Sequence, residues 1–360
     1  MENKKIVHIV ESFGGGVYSF LTDLINNTNE EFDITVLYGK RKETPKEFKK
    51  DFNKNVNFIN IENFSRSINL KRDLKAIKEV KQNIKEINPD IVHLHSSKAG
   101  IIGRLAVSGR KTKMFYNPHG FSFLKKDDSK LKRIIYWWIE KITAIINKKC
   151  TIIGCSQGEY QEAKKLNKNS ICINNGIDIE KINELIKDLS QKEINYNDIR
   201  ICTIGRIGYQ KNPKLFNQIA EAFPDIQFTW IGDGEQKDLL TSKNITITGW
   251  KDRKEVLRIL NDNDVFILCS LWEGLPISLL EAMYMKKICI VSNVIGNRDV
   301  IEDGKNGYIA ESVDEYVVII NNILSKNEMN LKIKNSAYLN IEEIYNIKKM
   351  MEKYRRIYGK

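Results

Sequence analysis

Short runs rich in β-branched residues, alternating with helical stretches and restarting once after a turn, constrain this chain more than any other feature. Runs over 5–10, 33–38, 56–61, 91–95, 114–116, 151–155 and 171–173 read as strands. Between the third and fourth, Leu70, Leu74, Ile77, Ile84 and Ile87 form one apolar stripe at helical spacing, with Lys71, Lys75, Lys78 and Lys85 off it. Such alternation predicts βαβ units and a parallel sheet. After Asn174-Asn175-Gly176 the pattern restarts, with strand candidates over 199–204, 226–231, 245–248, 265–269 and 288–291. From residue 313 the chain reads as helices, ending in one helix over 341–358 without a further strand. A length of 360 residues suits two such domains. The expected fold is therefore α/β: two Rossmann-like doubly wound domains, 1–177 and 178–340, facing across a cleft at the carboxyl ends of their sheets. Residues 341–360 form a C-terminal helix expected to pack back on the first domain. The boundary falls near 176–196.

Charge divides the chain unevenly. Residues 1–177 hold 32 Lys and Arg against 19 Asp and Glu, a net +13; residues 178–360 hold 26 against 27, a net −1. The basic half suits an anionic lipid surface or a phosphate-bearing ligand, and equally a solvated Lys-rich face. The start, MENKKIVHIVESFGGG, enters a strand and a Gly turn without the apolar core of a signal peptide. The run 134–146 is broken by Glu140 and Lys141, short of a membrane span. Six dispersed cysteines without a CxxC pair read as reduced, buried thiols, and a cytoplasmic location is expected. In the helix over 131–146, Ile134, Ile135, Trp138, Ile142 and Ile145 are expected to pack into the core. Trp137, Lys141 and Lys148 lie on another face, where Trp137 would touch lipid headgroups.

The chemistry concentrates after strands. Glu273-Gly274-Leu275-Pro276-Ile277-Ser278-Leu279-Leu280-Glu281 follows the run 265–269, so Glu273 sits in the loop at the strand's carboxyl end. Pro276 fits the first turn of the next helix, and Glu281 lies between one and two turns in. Free amides at the helix start suit an anion, and two carboxylates suit sugar and ribose hydroxyls. Upstream, Gly205-Arg206-Ile207-Gly208-Tyr209-Gln210-Lys211-Asn212-Pro213 again joins strand to helix. Its Arg206 and Lys211 are charge-assisted donors matched to a diphosphate. Gly14-Gly15-Gly16 follows the first strand and leaves room for phosphate or substrate, without the acidic residue that closes a dinucleotide fingerprint. His119, in Asn117-Pro118-His119-Gly120-Phe121, is placed to touch a substrate hydroxyl or carry a proton. His93 and His95 share one side of a strand; His95, near its end, is the one expected to line the cleft, and a zinc site lacks further ligands at sensible spacing. Asp262-Asn263-Asp264 imitates a metal-holding DxD, but it precedes its strand and reads as structural.

The order GGG, NPHGFSF, GRIGYQKNP, WIGDGEQ and EGLPISLLEAM resembles the family-4 retaining glycosyltransferases with the GT-B fold, over nearly the full chain. That resemblance implies an acceptor-binding first domain and a second domain that binds a UDP-linked nucleotide-sugar donor. By matched position it assigns Glu281 to the donor ribose, Glu273 to the donor sugar, Arg206 and Lys211 to the diphosphate, and His119 to the sugar near the reacting centre. Gly15, Gly16, Gly274, Leu275 and Pro276 join the donor site, and no metal or other cofactor is implied. The segment His95-Ser96-Ser97-Lys98 to Arg104, with HGFSF, looks like the subgroup that builds bacterial capsule, exopolysaccharide or O-antigen on a polyprenyl-diphosphate carrier. His95, Lys98 and Arg104 become candidates for acceptor or phosphate binding. The implied partners are the donor, a lipid-linked saccharide and the anionic inner face of the cell membrane. A GT-B sugar-nucleotide epimerase would share the diphosphate site, but the EGLPxxLLE loop argues against it. A non-catalytic partner subunit would tolerate loss of Arg206, Lys211 or Glu281, and all three are intact. No nucleic-acid motif accompanies the basic residues.

Overall fold

A computed structural model describes residues 3–41, 44–65, 69–109, 111–189, 196, 198–325 and 328–359. The chain divides into two compact units, one of residues 1–175 with 350–360, the other of 176–349. Part of the expected boundary segment, 190–195, lies outside the described residues.

The first unit is a seven-stranded parallel sheet in the order β3-β2-β1-β4-β5-β6-β7. Its strands are β1 (Lys4–Val10), β2 (Phe32–Tyr38), β3 (Asn57–Asn60), β4 (Ile91–His95), β5 (Lys113–Asn117), β6 (Thr151–Gly154) and β7 (Ser170–Cys172). The helices are α1 (Gly15–Asn26), α2 (Leu70–Ile87), α3 (Ser97–Val107), α4 (Lys130–Ile146) and α5 (Gln157–Leu166). Central strands β1 and β4 are buried on both faces, as near-continuous apolar runs in parallel sheets are. Helix α2 buries Ala76, Val80 and Ile84. At 100° per residue, Leu70 and Leu74 stand at the rim of that arc, and both are exposed instead of completing the expected stripe.

Helix α4 departs further from expectation. Its inward residues are Glu140, Thr143 and Ala144, with Tyr136 and Trp137 half-buried against the core. Ile134, Ile135, Trp138, Ile142 and Ile145 face solvent. The cause is polar: Glu140 pairs with the fully buried Arg104 of α3 and accepts the Tyr116 hydroxyl at 2.8 Å. Satisfying that buried carboxylate fixes the rotation of the helix and turns its apolar stripe outward.

The second unit is a six-stranded parallel sheet in the order β10-β9-β8-β11-β12-β13. Its strands are β8 (Arg200–Ile204), β9 (Gln227–Ile231), β10 (Ile245–Ile247), β11 (Val265–Leu268), β12 (Ile288–Ser292) and β13 (Tyr308–Ala310). Helices α6 (Ile179–Ile186), α7 (Pro213–Glu221), α8 (Arg253–Asn261), α9 (Ile277–Tyr284), α10 (Val313–Leu324) and α11 (Glu328–Ile344) surround it. Three-residue β13 was not expected; Tyr-Ile-Ala is too short to carry a periodicity.

The expected helix over 341–358 is two helices, because α12 (Ile347–Tyr358) follows a break at Tyr345 and Asn346. There the backbone is diverted: Ile177 N–H donates to Tyr345 O at 2.8 Å, and Ile347 N–H to Ile177 O at 2.9 Å. A Cβ on Gly176 would stand 2.7 Å from the Asn346 carbonyl carbon, which is why glycine ends the Asn-Asn-Gly turn. From Met350 onward α12 belongs to the first unit. Its Tyr354 hydroxyl donates to Asn117 Oδ1 at 3.2 Å, and Arg355 binds Glu31 at 2.6 Å.

Candidate functional site

In the second unit, three loops at the carboxyl edge of neighbouring strands β9, β8 and β11 are bonded into one surface. Trp230 Nε1–H donates to Gly205 O at 2.8 Å, and Ile207 N–H to Asp233 O at 2.9 Å. Leu271 N–H donates to Gln210 O at 2.8 Å, and Gln210 Nε2 to Trp272 O at 3.0 Å. The motifs around Arg206, Glu235 and Glu273 are thus held together by two main-chain bonds and by the Trp230 and Gln210 side chains.

Their charged groups pair across the loops. Lys211 Nζ meets Glu273 Oε1 at 2.7 Å, with both side chains mostly covered. Gly205, at φ +146°, leaves the space that Lys211 crosses; a Cβ there would stand 2.9 Å from Lys211 Cε. Arg206 lies 3.6 Å from the exposed Glu235 carboxylate. Gly274 and Leu275 follow Glu273, and Pro276 is the N-cap of α9, one position earlier than expected, without a side-chain cap. Leu279 N–H turns back to Pro276 O at 3.2 Å, which leaves the two amides before it, those of Ile277 and Ser278, to a ligand or solvent. Glu281, buried on α9, binds Arg253 Nη2 at 2.9 Å. Sequence reasoning missed Arg253: it opens an ordinary amphipathic helix, and nothing local separates it from Lys254 or Arg258. Asp264 accepts Arg200 N–H at 3.0 Å before β11, the structural role expected for the DxD imitation.

The first unit gathers a second set of candidates. His119 follows β5 with φ +53°, and Ser96 follows β4 with φ +76°. Two non-glycine residues in this region, side by side on neighbouring strands, mark stored backbone strain of the kind functional loops carry. Phe20 of α1 packs edge-on to the His119 ring at 4.6 Å between centroids, so the helix opened by Gly15 and Gly16 abuts His119. Beyond the adjoining residues and the helix's own backbone, no described atom lies within 4 Å of where a Cβ would stand on either glycine.

All four histidines of the chain meet here. His119 Nε2 is 3.2 Å from His95 Nδ1, and His95 Nε2 is 3.0 Å from His8 Nδ1. His93 bonds Tyr358 through Nδ1 and Asn117 through Nε2, each at 2.6 Å. Burial lowers every one of these groups below the usual imidazole value, His93 and His119 to about 3. His8, His93 and His95 form the one group of potential metal ligands among the described residues, brought together by β1 and β4 rather than by spacing. Both ring nitrogens of His93 and of His95 are already hydrogen-bonded.

The remaining candidates are differently placed. His95 is fully buried and reaches outward only through His119. Lys98 is mostly covered and paired with Asp73 at 2.8 Å. Arg104 is fully enclosed, bound to Glu140 and to Gly100 O at 2.8 Å, so its guanidinium is committed to the interior. No helix among the described residues is long and apolar enough to cross a membrane.

Comparison with known proteins agrees with the fold. Residues 14–181 match the model described as Glycosyltransferase Family 4, and residues 186–340 match Glycosyl transferases group 1. The UDP-Gal:alpha-D-GlcNAc-diphosphoundecaprenol alpha-1,3-galactosyltransferase of Escherichia coli is 31% identical over 359 residues, covering 92% of this chain and 89% of that protein. Sucrose-phosphate synthase from Thermosynechococcus elongatus superposes with a TM-score of 0.80 at 13% identity, over 99% of this chain and 98% of that one. HepE of Anabaena, solved with UDP and glucose, gives 0.77 at 16% identity, over 99% and 100%.

Proposed function

Because the chain belongs to the family-4 glycosyltransferases, with their GT-B fold, we propose that it transfers a sugar, with retention, from a UDP-linked donor to a polyprenyl-diphosphate-linked saccharide during cell-surface polysaccharide synthesis. The observation that carries the reading is the pair of covered ion pairs, Lys211–Glu273 and Arg253–Glu281, flanking the uncapped start of α9. A nucleotide sugar supplies what this surface lacks: a diphosphate for Lys211, Arg206 and the α9 amides, and hydroxyls for the two carboxylates. Glu281 takes the ribose and Glu273 the donor sugar. The cations stabilise charge as the bond from the anomeric carbon to the diphosphate lengthens, and the acceptor hydroxyl enters on the same face. Two cationic side chains and main-chain donors meet that charge, so no metal is called for. The acceptor, reached through the basic first unit at the inner face of the membrane, is bound near His119 and the open Gly15-Gly16 turn. The galactosyltransferase relative, named for UDP-Gal and a diphosphoundecaprenol acceptor, supports both substrate classes.

A donor-hydrolysis screen across UDP-, GDP- and dTDP-sugars tests this, with UDP-galactose first. Lys211→Ala and Glu281→Ala should abolish turnover while remaining folded; wild-type rates in both would overturn the assignment.

A further inference from the structure

Two features remain outside that reading: the outward face of α4 and the buried line of imidazoles.

Leu131, Ile134, Ile135, Trp138, Ile142 and Ile145 recur at three- and four-residue intervals along α4, and each is between 46 and 68% exposed. The helix is fixed from its other side by the Glu140–Arg104–Tyr116 cluster, so the stripe has no core to turn toward. Lys130 and Lys132 stand at one end and Lys148 and Lys149 at the other, all exposed, in a half of the chain carrying net +13. Apolar residues in a stripe, bracketed by lysines, match an acyl–headgroup boundary bearing negative charge. We propose that α4 lies in the plane of an anionic bilayer, its isoleucines and Trp138 sunk below the headgroups. This rests on the membrane-side acceptor proposed above and names the element that meets the lipid. The test is flotation of the full chain with vesicles of phosphatidylcholine and phosphatidylglycerol, 7:3. Ile134→Ser with Ile142→Ser should cut the bound fraction at least tenfold at low salt, and donor hydrolysis in detergent-free solution should be unchanged. High salt should weaken the wild type only partly, since the apolar share is not screened. Flotation of the double variant at the wild-type level overturns the proposal. So does a wild-type dimer, by light scattering, that the same substitutions dissociate. Failure of donor hydrolysis in the wild type would strike the enzymatic reading and leave the flotation result standing.

Independently, the imidazole line has a fixed logic. His8 Nδ1 bonds His95 Nε2, and His95 Nδ1 bonds His119 Nε2. For neutral rings each bond needs one N–H and one lone pair, so the proton must sit on the same-named nitrogen in all three. If that nitrogen were Nε2, His8 would hold an N–H in the core with no acceptor, because its Nε2 is buried and unbonded. Orphaned buried donors are among the rarest features of native interiors. We infer that His8 and His95 are positioning residues that lock His119 as the Nδ1–H tautomer, aiming a donor at the oxygen-rich ligand proposed for it. The line ends at His8, so it orients a proton and does not conduct one.

Long-range proton–nitrogen NMR of the histidine rings in the full chain reads this without reference to activity. Protonated Nδ1 on His8, His95 and His119 supports the lock; any other pattern overturns it, as does stoichiometric zinc or copper retained by His8, His93 and His95 after purification. His95→Leu should let His119 populate both tautomers, and His95→Asn, which keeps a donor near the Nδ1 position, should restore one. If His119 faces donor sugar, kcat falls at least tenfold in His95→Leu with KM little changed, and recovers in His95→Asn. A lock seen by NMR with unchanged kcat would remove His119 from the reaction and leave the lock in place.

Discussion

Lowering the pH from 7.0 to 5.5 should loosen the first unit and spare the second. His8, His93 and His95 are fully buried, and all are held below the ordinary imidazole value of 6.5 by desolvation, His93 to about 3. In the unfolded chain they titrate near 6.5, so as pH falls through that value the unfolded state binds more protons than the folded one. Stability is then complete above 6.5 and is lost as pH falls. Over this interval each ring that stays neutral while folded contributes a loss of about 1.3 kcal/mol. Three rings give roughly 4 kcal/mol, a large share of a typical stability of about 5–15 kcal/mol. His119, only half-buried, is left out of the sum. The second unit contains no histidine, and its carboxylates stay ionised over most of the interval, so it serves as an internal control. Hydrogen exchange in mild urea, corrected for intrinsic rates, separates the two: peptides from β1 and β4 should lose about 4 kcal/mol of opening free energy, those from β8 and β11 less than about 1. Equal shifts in both sets, or any of the three buried rings titrating near 6.5 in the native protein, would refute the argument.

The other predictions concern particular contacts. Lys211→Met, which keeps the stem and removes the charge, should lower donor-hydrolysis kcat by about 10²–10³, the usual cost of one lost transition-state donor; steady-state rates decide it. Arg253→Ala should raise KM for the donor more than it lowers kcat, since it releases Glu281 rather than touching the diphosphate. Arg104→Met should cost about 3–5 kcal/mol by leaving Glu140 buried without its cation, measured by urea denaturation, and should leave the KM of the folded fraction unchanged. Gly176→Ala should lower the melting temperature, because the new Cβ meets the Asn346 backbone.

Which parts of this molecule could be read from its residues follows from how local each signal is. Apart from three-residue β13, the strands of both sheets announce themselves as β-branched runs, and the Glu273 and Arg206 motifs stand in loops whose places follow from the strands before them. Partners supplied from elsewhere left no such trace. Arg253 reaches Glu281 from a separate helix, and Glu235 faces Arg206 from the loop after β9. His8 looked like one more strand residue until the register of β1 against β4 set it opposite His93. Arg104, read as a phosphate ligand, carries its charge inward because a single glutamate on another helix waits there.

Helix α4 makes the physical point most sharply. A stripe of isoleucines at helical spacing says that a helix has an apolar face, and the prior that such a face turns inward is strong for a soluble domain. Periodicity alone carries no sign, however: the same pattern fits a helix packed on a core and one packed on a lipid surface. The sign comes from Glu140, a lone carboxylate on the opposite face, and from Arg104 in a separate helix. A buried carboxylate without its cation costs several kcal/mol, about what two or three exposed isoleucines would gain by burial. Once the pair forms, rotating the helix would break it and would also lift Tyr136, Trp137 and Ala144 off the core. The exposed stripe is stable in water only because that pair holds it there, and its apolar surface remains available to a bilayer. Replacing Glu140 and Arg104 together by Leu and Met should therefore weaken vesicle flotation even though no residue of the outward face has changed. Flotation undiminished in a folded double variant would show that the stripe faces outward for some other reason.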